Sequence, residues 1–180
     1  MKFRLLCKNL KINLRYATNI DIEQLKKKKV QIYRKKSCTI LKLLKTTITI
    51  YNHSPCSMHV TGLASQQQLV DFFDFTLKSL SIKPIEGKVD NSMFSCKMNR
   101  DIDLKRILVS LPKQSPYYCV YKSTLFPALF LKVRQDFKFQ GYPTILIFRT
   151  GSFIMLGGTN IAMLRKTSVF IKSLLCETAQ

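Results

Sequence analysis

The sequence predicts an α+β fold built from a duplicated unit, each copy giving antiparallel strands with helices on one face. Three observations predict it. Strand-like and helix-like segments follow the same order twice, short motifs recur at a steady offset, and no apolar segment is left over to cover a second side of the sheet. The copies are read as residues 1–83 and 91–180, joined by a linker at 84–90.

The first copy opens on a strand-like stretch, "MKFRLLCKNLKINLRY", followed by "NIDIEQLKKKK", where Ile20, Ile22 and Leu25 make a short apolar stripe. "CTILKLLKTTITIY" and "SMHVTGL" are rich in β-branched residues and alternate in polarity, which suits strands. In "SQQQLVDFFDFTLKSL" the apolar positions Leu69, Phe72, Phe73, Thr76 and Leu80 follow helical spacing, and Ser65 suits the N-cap. "KPIEGKVDN" holds Pro84 and Gly87, two breakers, and is read as the linker. The order then repeats. "MFSCKM" is strand-like, "DIDLKRILVSL" a short helix with Asp101 or Asp103 near its start, and "LFPALFLKV", "PTILIFR" and "SFIMLGG" are strands before the helix "NIAMLRKTSVFIKSLL". Ile20 matches Ile102, Ile22 matches Leu104 and Leu25 matches Ile107, each 82 residues on, and "LKSL" at 77–80 matches "IKSL" at 171–174. A longer inter-strand segment, "RQDFKFQGY", accounts for the wider second spacing.

Thirty Lys and Arg against ten Asp and Glu in 180 residues leave a net charge of +20. That much self-repulsion points to a polyanionic partner, most simply nucleic acid; a surface kept basic for solubility or for anionic lipid is the alternative. The runs Lys26–Lys29 and Arg34–Lys36 fit a solvated edge, phosphate contacts or a nuclear-import signal. Six cysteines stand singly, with no signal segment and no long apolar run, so a reduced intracellular protein is expected and no membrane partner. His53 and His59 lack cysteine or carboxylate partners at ligand spacing. No nucleophile–base set, phosphate-cradling loop or carboxylate pair stands out, so the reading is a non-enzyme without metal, cofactor or small-molecule substrate.

Alternation also lists the uncovered face. In the second copy it takes Phe126, Ala128, Phe130 and Lys132, then Thr144, Leu146 and Phe148, then Ser152, Ile154 and Leu156. In the first it takes Ile40 and Lys42, then Thr47, Thr49 and Tyr51, then Ser57, His59 and Thr61. Such a face is apolar and hydroxylic within and cationic toward its ends, the composition an A·T-rich minor groove accepts.

Two stretches, "LFPALFLKV" and "TILIFRTGSFIMLGG", resemble the TATA-binding protein family, strongly in the second half and more weakly in the first. The resemblance implies a pseudo-twofold saddle: one curved antiparallel sheet, helices on its convex face, the concave side along the minor groove of double-stranded A·T-rich DNA. Phe126 and Phe148 match the phenylalanines that wedge between base steps. In the first half Lys36 (or Cys38, if the register shifts) and Tyr51 stand at those places, so one half keeps its wedge and the other is remodelled. Asn9 and Asn91 match the family's central asparagines, whose amides can donate to adenine N3 and thymine O2. Lys42 and Lys132 match phosphate-contacting arginines, and Phe130, Thr61, Leu146, Ile154 and Leu156 complete the implied DNA-binding set. Lys11 and Met93 replace valines, and Lys122 and Thr124 replace glutamates of the loop that docks transcription factor IIB in the family. Implied partners are initiation factors resembling IIB and IIA, or RNA polymerase subunits, in the nucleus or at a site of viral transcription. The divergence suggests a viral or parasite-lineage relative. The functional expectation is a promoter-bending initiation factor; the alternative is an interaction module of the same fold without sequence-specific DNA binding.

Overall fold

Strand β1 (Leu6–Tyr16) shows in one segment how the chain divides its two faces: Ile12, Leu14 and Tyr16 are buried, while Lys11, Asn13 and Arg15 between them point the other way. The structure is a computed structural model and describes residues 6–17, 20–23, 30–51, 56–80, 82, 84–98 and 100–178. Leu25 and the lysine run 26–29 lie outside the described residues, as do His53 and the side chain of Thr76. The chain divides into two units, Lys8–Asp90 and Asn91 onward, with Leu6 and Cys7 grouping with the second.

In the first unit β2 (Gln31–Arg34), β3 (Thr39–Leu43), β4 (Thr46–Tyr51) and β5 (Ser57–Leu63) join β1 and the start of β6 (Pro84–Lys97), in the order β2-β3-β4-β5-β1-β6. The pairs β2–β3, β3–β4, β4–β5 and β5–β1 are all antiparallel. Directly paired residues share a face, so Leu41, Ile48, Val60 and Ile12 line up beneath helix α1 (Gln66–Ser79), with Phe72 among them in the core. Burying each such side chain stabilises by about 1.5–3 kcal/mol, which fixes the register. Ser65 caps α1: its Oγ accepts from Gln68 N at 3.1 Å, while Gln68 Oε1 accepts from Ala64 N at 2.7 Å, a reciprocal arrangement close to a capping box.

The second unit runs β6-β10-β9-β8-β7, with β7 (Tyr117–Val120), β8 (Ala128–Val133), β9 (Thr144–Phe148) and β10 (Ser152–Leu156). Helices α2 (Leu104–Ser110) and α3 (Ile161–Glu177) cover the face that carries Leu129, Leu131, Ile145, Ile147, Phe153 and Met155. Asp103 is the N-cap of α2, accepting from Lys105 N and Arg106 N, and Asn160 caps α3 in the same way. In the first unit Asp21, 82 residues earlier, accepts from Glu23 N, and Ile20 and Ile22 are buried as Ile102 and Leu104 are. The two units therefore repeat a local hydrogen bond as well as a hydrophobic pattern.

One expectation fails. Residues 84–90 are no linker; they are the first half of a 14-residue strand. Pro84 takes the strand's first position, where a missing N–H is tolerated. Gly87 lies so close to β1 that a Cβ there would come within 3.0 Å of Leu14 Cδ2. The acids of this stretch pair with bases on β1, Asp90 with Lys11 and Glu86 with Arg15. The edge strands β2 and β7, four residues each, were not anticipated, and "RQDFKFQGY" holds a 3-10 helix, Gln135–Gln140.

Candidate nucleic-acid interface

In each unit the helices take one face of the strands, and the other face is lined by rows of paired residues. In the second unit Ser95, Ile154, Leu146, Phe130 and Val120 form one row across five strands. Met93, Leu156 and Thr144 form a second, Ala128 faces Phe148, and Tyr118 faces Lys132. In the first unit the row equivalent to the first of these is Asn13, His59, Thr49, Ile40 and Tyr33. Thr61, Thr47, Lys42 and Gln31 form the next, and Arg15, Ser57 and Tyr51 the last. The same architecture thus presents an apolar strip in one copy and a polar strip in the other.

Phe126 stands just before β8, in the turn 121–127, rather than on the strand. Its backbone N–H and that of Leu125 both donate to the Lys122 carbonyl, which holds the turn shut. The residue is 41% exposed, and its ring packs on Phe130 at 5.4 Å and on Phe148 at 6.4 Å between centroids. These spacings are those of favourable tilted aromatic pairs. Three rings are thereby assembled at the surface before any ligand arrives. Lys132 places its ammonium 5.9 Å from the Phe130 ring centre, a cation beside the aromatic cluster. Lys42 mirrors it in the first unit, 5.2 Å from the ring of Tyr33.

The first unit has no comparable cluster among its described residues. Its turn 35–38 is tight, closed by Lys35 N donating to the Cys38 carbonyl, with Lys36 exposed and Cys38 half-buried. Tyr51 lies on the open face but is engaged edge-on with His59 at 5.2 Å. The residues of the 35–38 turn, Lys35, Lys36, Ser37 and Cys38, include no ring to project, unlike the 121–127 turn.

Asn9 lies on the same side of β1 as Lys11 and Asn13. The β5 ladder bulges opposite Leu10–Ile12, where Gly62 adopts φ +88°, and Asn9 Oδ1 accepts the Gly62 N–H at 2.7 Å. That bond commits the amide oxygen and leaves the NH2 end as donor, which is what the acceptor-only edge of an A·T pair requires. Asn91 is exposed; beside it, the Gly157 N–H goes to the Ser92 carbonyl, and the Ser92 hydroxyl donates to the Gly158 carbonyl. Thr61 lies at the bulge and Leu156 at the equivalent position, both half-buried. Leu146 is 9% exposed, set between Phe130 and Ile154 in its row.

Sequence reasoning missed the charges beside Asn9 and Asn13. Lys11 Nζ lies 3.4 Å from Asp90 Oδ2, and Arg15 Nη1 3.3 Å from Glu86 Oε2. Their signal was the alternation Glu86, Lys88, Asp90, legible only if 84–90 is taken as strand. No group of three metal-ligating side chains occurs among the described residues.

Comparison with known proteins bears on this geometry. No curated protein sequence matches the chain. Among solved structures it is similar to Methanococcus jannaschii TBP, with TM-score 0.71 and 18% identity over 97% of this chain and 99% of that one. A second match is the heterotetrameric sarcosine oxidase from Corynebacterium sp. U-96 in complex with pyrrole 2-carboxylate. It is 13% identical over 98% of this chain and 84% of that one, and its TM-score of 0.32 supports no structural argument. The first match shows the fold alone. The family model described as transcription factor TFIID (or TATA-binding protein, TBP) matches residues 86–178, more than half of the chain. With its α+β units and their open strand faces, the chain belongs to the TATA-binding protein family.

Proposed function

We propose that this protein is a transcription initiation factor that binds A·T-rich duplex DNA in the minor groove through the open strand faces and kinks it chiefly from the second unit. The observation that carries the reading is the cluster of exposed Phe126 on half-buried Phe130 and Phe148, set on an apolar strip with Lys132 beside it. Phe126 stands partly in water on top of two further rings, a contiguous apolar patch of the kind that marks a binding surface. Pushed between base pairs it unstacks a step, at a cost of a few kcal/mol, which wider contact along the strip offsets. The first unit, with Lys36 and Cys38 in a tight turn, contributes contact rather than a second kink. Initiation factors or polymerase subunits would then assemble on the bent complex. The exposed Lys122 and Thr124 favour a partner surface more acidic than the one the family's glutamates meet.

The test is a gel-shift and bend measurement on A·T-rich and G·C-rich duplexes. Wild type should prefer the A·T-rich duplex and bend it. Phe126→Ala/Phe148→Ala should remove the bend and weaken binding by about tenfold or more, given roughly 1–3 kcal/mol per lost stacking contact. A wild-type protein that binds both duplexes equally without bending would favour a second reading, a protein-interaction module of this fold. The polar strip and paired charges of the first unit are what give that reading weight.

A further inference from the structure

The open face of the first unit carries acid where a polyanion would lie. Only ten acidic residues are present in the whole chain, yet Glu86 and Asp90 both project from β6 to this face, each against a base on β1. Asn13 stands between the two bases and Lys88 between the two acids. Asn13, Arg15, Glu86, Lys88 and Asp90 line a cavity of about 190 Å³, and Asn13 Oδ1 is buried without a hydrogen-bond partner among the described residues. Three basic side chains and two acidic ones share this small area. All belong to the first unit.

We infer that the pairs Lys11–Asp90 and Arg15–Glu86 form a charge latch that sets how strongly the first unit engages DNA. Closed, the latch withholds two cations from the phosphates and leaves two carboxylates facing them. DNA seats on this unit by exchanging carboxylate for phosphate at Lys11 and Arg15, and Glu86 and Asp90 then lie as uncompensated anions against the duplex. The exchange is physically open because both pairs are partly solvated: the side chains are 37% and 26% exposed in one pair, 62% and 61% in the other. Such pairs hold their partners weakly and reopen readily. The strip therefore contributes less electrostatic affinity than its lysines and arginine suggest, and the burden of binding falls on the second unit. This inference rests on the groove-binding reading and adds to it a determinant of affinity in the unit that has no wedge.

The experiment compares wild type with Glu86→Gln/Asp90→Asn, which keeps size and hydrogen-bonding capacity, by fluorescence anisotropy on a labelled A·T-rich duplex across a KCl series. The variant should bind roughly fivefold tighter or more, and its plot of log affinity against log salt should steepen by about 2, because each freed cation that meets a phosphate adds about 0.9 to the slope. Lys11→Gln/Arg15→Gln should reverse both gains when added to the acid-neutral variant, and on its own should weaken binding below wild type, because it removes both phosphate partners and leaves Glu86 and Asp90 unpaired against the duplex. Matching thermal melts establish that all forms are folded. If wild type and the acid-neutral variant bind with equal affinity and slope, the latch is overturned while groove binding stands. If neither binds the duplex at low salt, groove binding falls and the latch with it. Binding by the variant alone upholds the latch in its strongest form.

Discussion

Gly62 and Gly157 hold corresponding places in the two units, and both are left-handed, at φ +88° and +84°. Their surroundings differ. A Cβ on Gly62 would stand 2.1 Å from the Lys45 carbonyl oxygen, a backbone atom of the tight turn between β3 and β4, whereas nothing lies within 4 Å of one on Gly157. Gly157→Ala should therefore cost only the left-handed strain, roughly 1–2 kcal/mol, and Gly62→Ala clearly more. Urea unfolding midpoints of the two variants, compared side by side, check the ranking. Gly62→Ala should also disturb Asn9, whose oxygen depends on the Gly62 N–H. Here the limit of sequence reading is plain. Asn9 could be placed by its offset from Asn91, but the commitment of its oxygen follows from a bulge, and a bulge is a fact of register that no local pattern announces.

At the scale of elements, two tyrosines pin strands to their neighbours. Tyr16, closing β1, donates its hydroxyl to the carbonyls of Tyr51 and Ser57, each at 3.2 Å. Tyr117, opening β7, is fully buried and shares a 2.9 Å hydrogen bond with Thr167 of α3. Burial pushes both phenols well above the usual phenol range; the neighbouring Cys56 adds to the rise at Tyr16, while the Thr167 bond opposes it at Tyr117. The folded pKa exceeds the unfolded one, so this contribution is complete below about pH 10, the ordinary phenol value, and declines as pH climbs beyond it. Melting temperatures should fall as pH rises past that point. Tyr117→Phe should make the fall shallower while costing about 1 kcal/mol at neutral pH. The helices were legible because caps and apolar spacing are local: Ser65, Asp103 and the run Leu69–Phe72–Phe73 suffice. Strands β2 and β7 were not, being short edges among lysines, prolines and tyrosines. The start of β6 was misread because Pro84 and Gly87 signal a break locally, and only β1 alongside makes them strand residues.

For the whole molecule, the net charge of +20 governs two responses of opposite sign. Added salt screens self-repulsion, so the melting temperature of the protein alone should rise with KCl. The same salt should weaken its grip on DNA. Thermal melts and anisotropy over one KCl series would show the divergence; a melting temperature that falls with salt would mean that attractive pairs such as Arg15–Glu86 outweigh the repulsion. Duplication was legible at this scale because both cores repeat the same apolar spacing. The contrast between the two open faces was legible only in part. Phe126, Phe130 and Phe148 announce the apolar strip, whereas the paired charges of the first unit depend on a strand taken for a linker.

That strand has a consequence for how the gene can change. β6 runs unbroken through 14 residues, its opening stretch laddered to β1 and its closing stretch to β10. A cut inside either stretch would strip one repeat of its ladder and bare a row of amides to stray chains. A repeat copied or traded in evolution would therefore have to carry its own half of this strand with it.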